Sequence, residues 1–268
     1  MFNIKKSAVG ISAALVLLPQ VAGAMTIGYF DSSREQWGFS GGGPYLSGAK
    51  QWLVDQGHTL VSTNTADATF LSGVDAFYTG LIGSVSGSEV TAMQNFVDTQ
   101  GGFLFIQQDH DSGGWFGPNN QILANWGIAT TGTYSNDSGH VTVGSSTWVT
   151  DPNAVAGFVG AAHSVVTSAP STFEVLARDD LDRTILGVFD AGGGRSSDVL
   201  IATDINFWDD GIGWTDARNR ALWENIWKSA GDQTCTVNCN TVPEPGTMLM
   251  LATGILGIGL ARRRKNVA

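Results

Sequence analysis

Apolar positions along the chain fall into short unbroken runs, and these alternate with segments of helical spacing and with polar, glycine-rich stretches. Thr26-Ile27-Gly28-Tyr29-Phe30 is apolar on both faces and stops at Asp31, the pattern of a buried strand. Over residues 45–56, Leu46, Ala49, Trp52 and Leu53 recur at helical intervals, and Gly57 suits the left-handed residue that closes a helix. Residues 59–62 and 74–79 read as two further strands. Over residues 86–100, Val90, Met93, Phe96 and Val97 share one helix face; Ser86 and Glu89 have the spacing of a reciprocal cap, and Gly101 ends the segment. Phe103-Leu104-Phe105-Ile106 predicts a strand covered on both sides. A helix follows over residues 119–126, ending at Gly127.

The middle of the chain changes style. Residues 141–149 alternate and are rich in Val, Thr and Trp, which predicts an antiparallel hairpin or edge insertion. Three strands are expected at 173–177, 184–189 and 199–202. A last helix over 216–229 buries Leu222 and Ile226, with Trp223 and Trp227 beside them. Strand, helix, strand in this rhythm predicts an α/β domain over residues 25–230. It has three layers: a mostly parallel sheet with helices on both faces, and antiparallel strands at its C-terminal edge. At 268 residues and 43% hydrophobic, the chain is long and apolar enough to bury a real core, and nine tryptophans argue against disorder along its length.

The two ends read as addresses. Lys5 and Lys6, an apolar run over residues 8–18, and Ala22-Gly23-Ala24 make a secretory signal peptide over 1–24, with cleavage expected after Ala24. Residues 231–241 read as a polar linker in which Cys235 and Cys239, meeting an oxidising compartment, are expected to close a local disulfide. Beyond it stand Pro243-Glu244-Pro245, an apolar segment over about 247–261, and Arg262-Arg263-Arg264-Lys265. The segment is short for a ~30 Å hydrocarbon core, and the basic cluster would hold it on the cytoplasmic side of the inner membrane. The two prolines keep the motif extended, as a protease cleft requires. This tripartite tail, residues 242–268, resembles the PEP-CTERM sorting signal of Gram-negative bacteria. The resemblance implies export through the Sec machinery, recognition by an exosortase that cuts near the Pro-Glu-Pro motif, and delivery to the cell surface or an exopolysaccharide matrix such as a biofilm.

Charge sharpens the picture of the body. Between Met25 and Asp232 there are 8 basic and 23 acidic residues, so the body is far more acidic than the whole chain at −10. Such a body repels phosphate backbones and excludes nucleic acid as a partner class. It suits solubility outside the cell and weak cation binding.

The body is similar to class I glutamine amidotransferase-like domains, including the ThuA-like and related flavodoxin-like groups. The resemblance rests on residues 27–30 opening the domain, Gln56-Gly57-His58 before the second strand, residues 100–106 as helix end and fourth strand, and residues 199–204 ahead of 222–227. It implies a three-layer fold with its site beyond the carboxyl ends of the strands, where open sheets bind ligands. Amidotransferase chemistry needs a cysteine nucleophile on a strand-to-helix turn. The body has none before Cys235, and the neighbourhood past the central strand holds Gln107, Gln108, Asp109, His110 and Asp111 instead.

Several polar loops are expected to share that edge. Asp31, Arg34, Gln107, Asp109, Asp204 and Asn206 are the candidate ligand-binding residues. Asp109, His110 and Asp111 are the candidate catalytic group, because two carboxylates and an imidazole can share proton transfer or bind an ion; in a turn before Ser112-Gly113-Gly114 they also read as ordinary turn formers. Asp204, Asp209 and Asp210 are the candidate calcium ligands, although they lack the ordered spacing of a calcium loop. Gly38-Phe39-Ser40-Gly41-Gly42 matches a nucleophile elbow on paper but does not directly follow a strand, which favours coincidence. Trp37, Trp115, Trp208 and Trp214 sit in glycine-rich loops, where they stack on sugar rings or cap the core. His58 and His163 read as structural. The expected role is an exported surface or exopolysaccharide-associated protein with a non-catalytic domain that binds a glycan or small ligand. An extracellular polysaccharide hydrolase using Asp109, His110 and Asp111 with Asp31 and Asp204 is the alternative, and a purely structural matrix role the third.

Overall fold

In the computed structural model, residues 23–41, 45–110, 114, 116–135, 138–141, 146–189 and 197–238 are described. The elements run β1 (Thr26–Phe30), β2 (Glu35–Trp37), α1 (Ser47–Asp55), β3 (Thr59–Thr63), α2 (Ala68–Leu71), β4 (Ala76–Thr79), β5 (Leu81–Ile82), α3 (Gly87–Asp98) and β6 (Phe103–Gln107). They continue α4 (Phe116–Leu123), β7 (Ala129–Ser135), β8 (Ser138–Val141), α5 (Thr147–Thr150), β9 (Gly157–Val159), β10 (Ala162–Ser168), β11 (Phe173–Asp179), β12 (Thr184–Phe189), β13 (Val199–Ala202) and α6 (Ala217–Asn238). One sheet of nine strands has the order β3-β1-β4-β6-β13-β12-β11-β8-β9. Its first five strands are parallel, and the remaining four continue the sheet antiparallel. Two small ribbons, β10-β7 and β2-β5, are separate.

Alternation along the strands feeds two cores. Ile27, Tyr29, Phe103 and Phe105 face the layer of α1, α5 and α6, where Leu53, Trp223, Ile226 and Trp227 are buried against them. Phe30, Phe77, Leu104 and Ile106 face α2, α3 and α4, meeting Leu71, Met93, Phe96 and Ile122. Each fully buried side chain of this kind is worth about 1.5–3 kcal/mol relative to exposure. Residues that are apolar on both sides of a strand are therefore what this sheet requires. The cap read from Ser86 and Glu89 is present: Ser86 Oγ accepts from Glu89 N at 3.3 Å, and Glu89 Oε2 accepts from Ser86 N at 2.9 Å.

Two elements depart from the sequence pattern. Of the hairpin or edge insertion expected over 141–149, Val141 ends β8, which pairs antiparallel at the edge of the sheet, residues 142–145 lie outside the described residues, and 147–149 fall in the helical turn α5. Trp148 is buried and stacks on Phe103 at 5.6 Å, so packing on the sheet overrides its β propensity. The helix expected to stop near Ser229 runs on to Asn238, through the first part of the stretch read as linker. It is tied to the body by Gln233, which donates to Asp198 Oδ2 at 2.6 Å, and by Lys228, which pairs with Asp151 at 2.8 Å.

Helix α1 shows how the carboxyl end of β13 organises distant chain. Its own cap residue, Leu46, supplies no side-chain acceptor. Asp210 does so from 163 residues away: Oδ2 accepts from Ser47 N at 2.9 Å and Ser47 Oγ at 2.6 Å, and Oδ1 accepts from Gly48 N at 2.8 Å. Replacing Asp210 with alanine is expected to cost about 0.5–2 kcal/mol, the usual range for a lost helix cap, read from urea unfolding of variant and parent.

Candidate functional site

The carboxyl ends of β6 and β13 lie side by side, since the two strands pair in register from Val199 with Leu104 to Ala202 with Gln107. The chain leaving β6 therefore delivers Asp109 and His110 next to the segment leaving β13, which carries Asp204, Asn206 and Asp209. Tyr45, just ahead of α1, closes over them: Asn206 Nδ2 donates to Tyr45 Oη at 2.6 Å and to Asp209 Oδ2 at 3.2 Å. Asp210 N donates to Tyr45 O at 2.9 Å, which fixes the approach of that loop.

Each carboxylate is held by backbone. Asp204 is fully buried; Oδ2 accepts from Ala161 N at 2.5 Å and Oδ1 from Asn206 N at 2.7 Å. Asp209 Oδ1 accepts from Ile212 N and Gly213 N, each at 2.8 Å. Asp109 Oδ1 accepts from His110 N at 2.7 Å and lies 2.8 Å from His110 Nδ1. Burial drives the Asp204 carboxyl well above the ordinary carboxylate range, with the charges of Asp109 and Asp209 adding to it. Burial also raises Asp109, against the opposing pull of His110 and His163. The Tyr45 hydroxyl is pushed up by burial and by the three aspartates Asp209, Asp109 and Asp204. Three carboxylates and a phenol thus crowd one edge with little solvent to screen them. Such a group accepts hydrogen bonds from hydroxyls, holds protons or attracts a cation.

Behind this edge, Gln107 is a brace. It is fully buried, accepts from Tyr78 Oη at 2.5 Å, and donates to Asp204 O at 3.1 Å and Ile205 O at 3.2 Å. It spans the two strand ends that carry the aspartates and presents nothing to a ligand.

The tail is a separate recognition feature. Its order of motif, apolar segment and basic cluster matches a known sorting signal. The chain carries a PEP-CTERM protein-sorting motif over residues 241–265. This PEP-CTERM match implies export and exosortase processing in a Gram-negative bacterium. No curated protein matches the sequence. Among solved structures, the mmIFT52 N-terminal domain superimposes with a TM-score of 0.64 at 12% identity, covering 77% of this chain and 97% of its own. A ThuA-like protein from Bacteroides uniformis superimposes at 0.52 and 12% identity, covering 81% and 95%. Both likenesses concern the fold. The ThuA-like neighbour agrees with the three-layer architecture expected from the sequence.

The structure brings together Asp109, His110, Asp204, Asn206 and Asp209, and sends other candidates elsewhere. Arg34 is committed to partners outside this group: its guanidinium pairs with Glu89 at 3.0 Å, donates to Asn64 O and Ser84 O, and stacks on Phe30. Asp31 turns back on its own loop, accepting from Ser33 N at 2.9 Å and Ser33 Oγ at 2.5 Å. Asp210 is spent on α1. Among the described residues, no group of three or more His, Cys, Asp or Glu side chains is arranged to hold a metal ion. Trp208 is core, fully buried against Phe105 and Trp223, whereas Trp37 packs on Tyr45 at 4.9 Å. His58 is structural as expected: its Nδ1 accepts from Met25 N at 3.1 Å, and burial lowers it to about 4. Asp111, Trp115, the Cys235–Cys239 pairing, the Pro243-Glu244-Pro245 motif and the apolar segment over 247–261 lie outside what is described. Among the described residues no helix is long and apolar enough to cross a membrane.

Two contributors escaped the sequence reading. Tyr45 stands at the start of the helical pattern of α1, and only its position beside Asn206 gives it a role. His163, read as structural, is indeed bonded on both ring nitrogens, to Ala161 O at 3.2 Å and Asp179 Oδ2 at 3.1 Å. It nonetheless stands close enough for its charge to act on Asp109.

Proposed function

We propose that this is an exported, exosortase-processed protein whose α/β domain is non-catalytic and binds a neutral, hydroxyl-rich ligand, a glycan or small polyol. The observation that carries the reading is the convergence of Asp109, Asp204 and Asp209 under Tyr45 at the carboxyl edge of the sheet. Asp109, bonded to His110 through Oδ1, is the acceptor offered to a ligand hydroxyl, while Asp204 and Asp209, bonded to Ala161, Asn206, Ile212 and Gly213, set its surroundings, and the Trp37–Tyr45 pair offers an aromatic wall beside them. The position past β6 carries Gln107, Gln108 and Asp109, with no cysteine ahead of Cys235, which supports binding over amidotransferase chemistry. The destination is the cell surface or exopolysaccharide matrix, reached through Sec and an inner-membrane precursor.

The test is a panel of neutral mono- and oligosaccharides offered to the purified protein with and without calcium, with released sugar measured in parallel. Retention without release supports the proposal. Release of sugar favours the hydrolytic reading, for which the desolvated pair Asp109 and Asp204 supplies the acid–base groups. No retention of any saccharide overturns it. The sorting half is checked separately. Replacing Pro243, Glu244 and Pro245 together by alanine is expected to leave the longer precursor in the membrane fraction, seen by immunoblotting of fractionated cells.

A further inference from the structure

A second polar assembly occupies the same edge, on the other side of the sheet's centre. The chain runs from β1 outward to β3 and then returns to β4 on β1's opposite flank. Such a reversal is where open sheets leave room for a ligand. Here the room is filled by the protein's own Glu35, which is buried at the start of β2. Its Oε2 accepts from Ser40 N at 2.6 Å, Ser40 Oγ at 3.0 Å and Gly41 N at 3.4 Å, and its Oε1 accepts from Gly80 N at 3.1 Å. The cradle is built for close approach. A Cβ on Gly38 or Gly80 would run into the carboxylate, and Gly38 has φ +152°.

Backbone N–H groups from two loops converging on one carboxylate form an anion-binding nest. We propose that this nest is an anion site closed by its own occupant: Glu35 stands where a ligand's carboxylate would bind, and removing its side chain opens a site for a small carboxylate. In the native chain the tethered glutamate outcompetes free anions, because its local concentration is far higher. This assembly is distinct from the Asp109–Asp204 group and does not depend on what that group binds.

Protonation bears on the same contacts. Burial pushes Glu35 up to about 7, against the pull of its Ser40, Gly80 and Gly41 bonds. Tyr78 of β4 faces it and is itself raised by burial and by the Glu35 charge. Lys50 of α1 reaches the loop at Phe39 O and Tyr29 Oη, and Arg34 is committed to Glu89. Ser40 Oγ has one proton and two acceptors in reach, Glu35 Oε2 and Phe30 O. An ionised Glu35 takes that proton; a protonated one donates to Ser40, which then donates to Phe30. The folded value lies above the unfolded one of 4.5, so this group's stabilising contribution is complete below 4.5 and is lost as pH rises through about 7.

The test uses the full chain in detergent, Glu35→Ala against parent, above pH 7. The variant's thermal midpoint is expected to fall, because three backbone N–H groups lose their acceptor, and to fall less there than near pH 4.5. Formate or acetate should restore it, while chloride at matched ionic strength does not and the parent responds to neither. A folded variant whose midpoint moves alike in formate and chloride overturns the proposal, and so does recovery by phosphate alone. If Glu35→Ala does not fold, refolding yield is read instead: formate-specific recovery supports the closed anion site, and equal yields in formate and chloride sink it.

Discussion

Asp179→Ala is expected to destabilise the domain by about 3–5 kcal/mol, the range for breaking a buried ion pair by removing one partner. Asp179 ends β11 with its side chain fully buried. Oδ1 accepts from Leu181 N and Arg183 N, each at 2.9 Å. Oδ2 accepts from Arg183 Nε at 2.6 Å and faces His163 Nε2 at 3.1 Å. The Arg183 guanidinium lies in turn over the Tyr134 ring, 3.6 Å from its centroid. One carboxylate therefore ties the β11–β12 turn to β10 and, through Arg183, to β7. Removing it strands a guanidinium, an imidazole and two backbone N–H groups in a poorly solvated place. Arg183→Ala should cost less, because that side chain is 23% exposed and water replaces part of what is lost. Urea unfolding of the two variants at neutral pH checks the order; equal costs would count against it.

The same carboxylate sets an acid limit. Its bonds to Arg183, Leu181 and His163 hold it down to about 2, against the opposing effect of burial. The folded value is below the unfolded one of 3.8, so the contribution is complete above 3.8 and is lost as pH falls from there through about 2. A shift of that size is worth about 2 kcal/mol. The stability difference between parent and Asp179→Asn is therefore expected to shrink over that interval.

The parallel half of the fold is legible in the sequence because burial on both faces writes continuous apolar runs. β1, β6 and β13 need such runs, and local signals such as Ser86 with Glu89 mark where helices begin. The other half is written less plainly. β7, with Thr131 and Thr133 outward, is partly exposed and pairs with β10 through two register shifts, so its alternation is broken. Trp148 reads as strand until Phe103, 45 residues earlier, is placed beneath it. Site residues divide in the same way. Asp109 and Asp204 were readable because each directly follows a strand that sheet order makes neighbours. Arg34, Asp31 and Asp210 also follow strands, but their partners lie in Glu89, Ser33 and α1, and nothing in local sequence distinguishes a carboxylate that faces a ligand from one that caps a helix. Glu35 is the extreme case: its neighbours Ser40, Gly41 and Gly80 are ordinary glycine-loop residues until the two loops meet around it.

Asp109→Asn is expected to raise stability at neutral pH while weakening ligand retention at least tenfold. The substitution is isosteric. The Asn oxygen still accepts from His110 N, so the local turn survives. What disappears is a desolvated charge that acts on Asp204 and Tyr45. The Asp109 carboxyl is raised in the folded state, so its ionisation works against folding, and that penalty grows as pH rises above its unfolded value of 3.8. The stability gain in the variant should follow the same course, absent in acid and full at neutral pH. A hydrogen bond from a ligand hydroxyl to an ionised acceptor contributes about 1.5–3 kcal/mol, which is roughly tenfold or more in affinity. Retention of whichever saccharide the parent binds should fall by that factor even though the fold is firmer. Stability and binding moving in opposite directions is the signature of a carboxylate kept for its ligand. A variant that loses both together would place Asp109 among the residues that merely hold the loop.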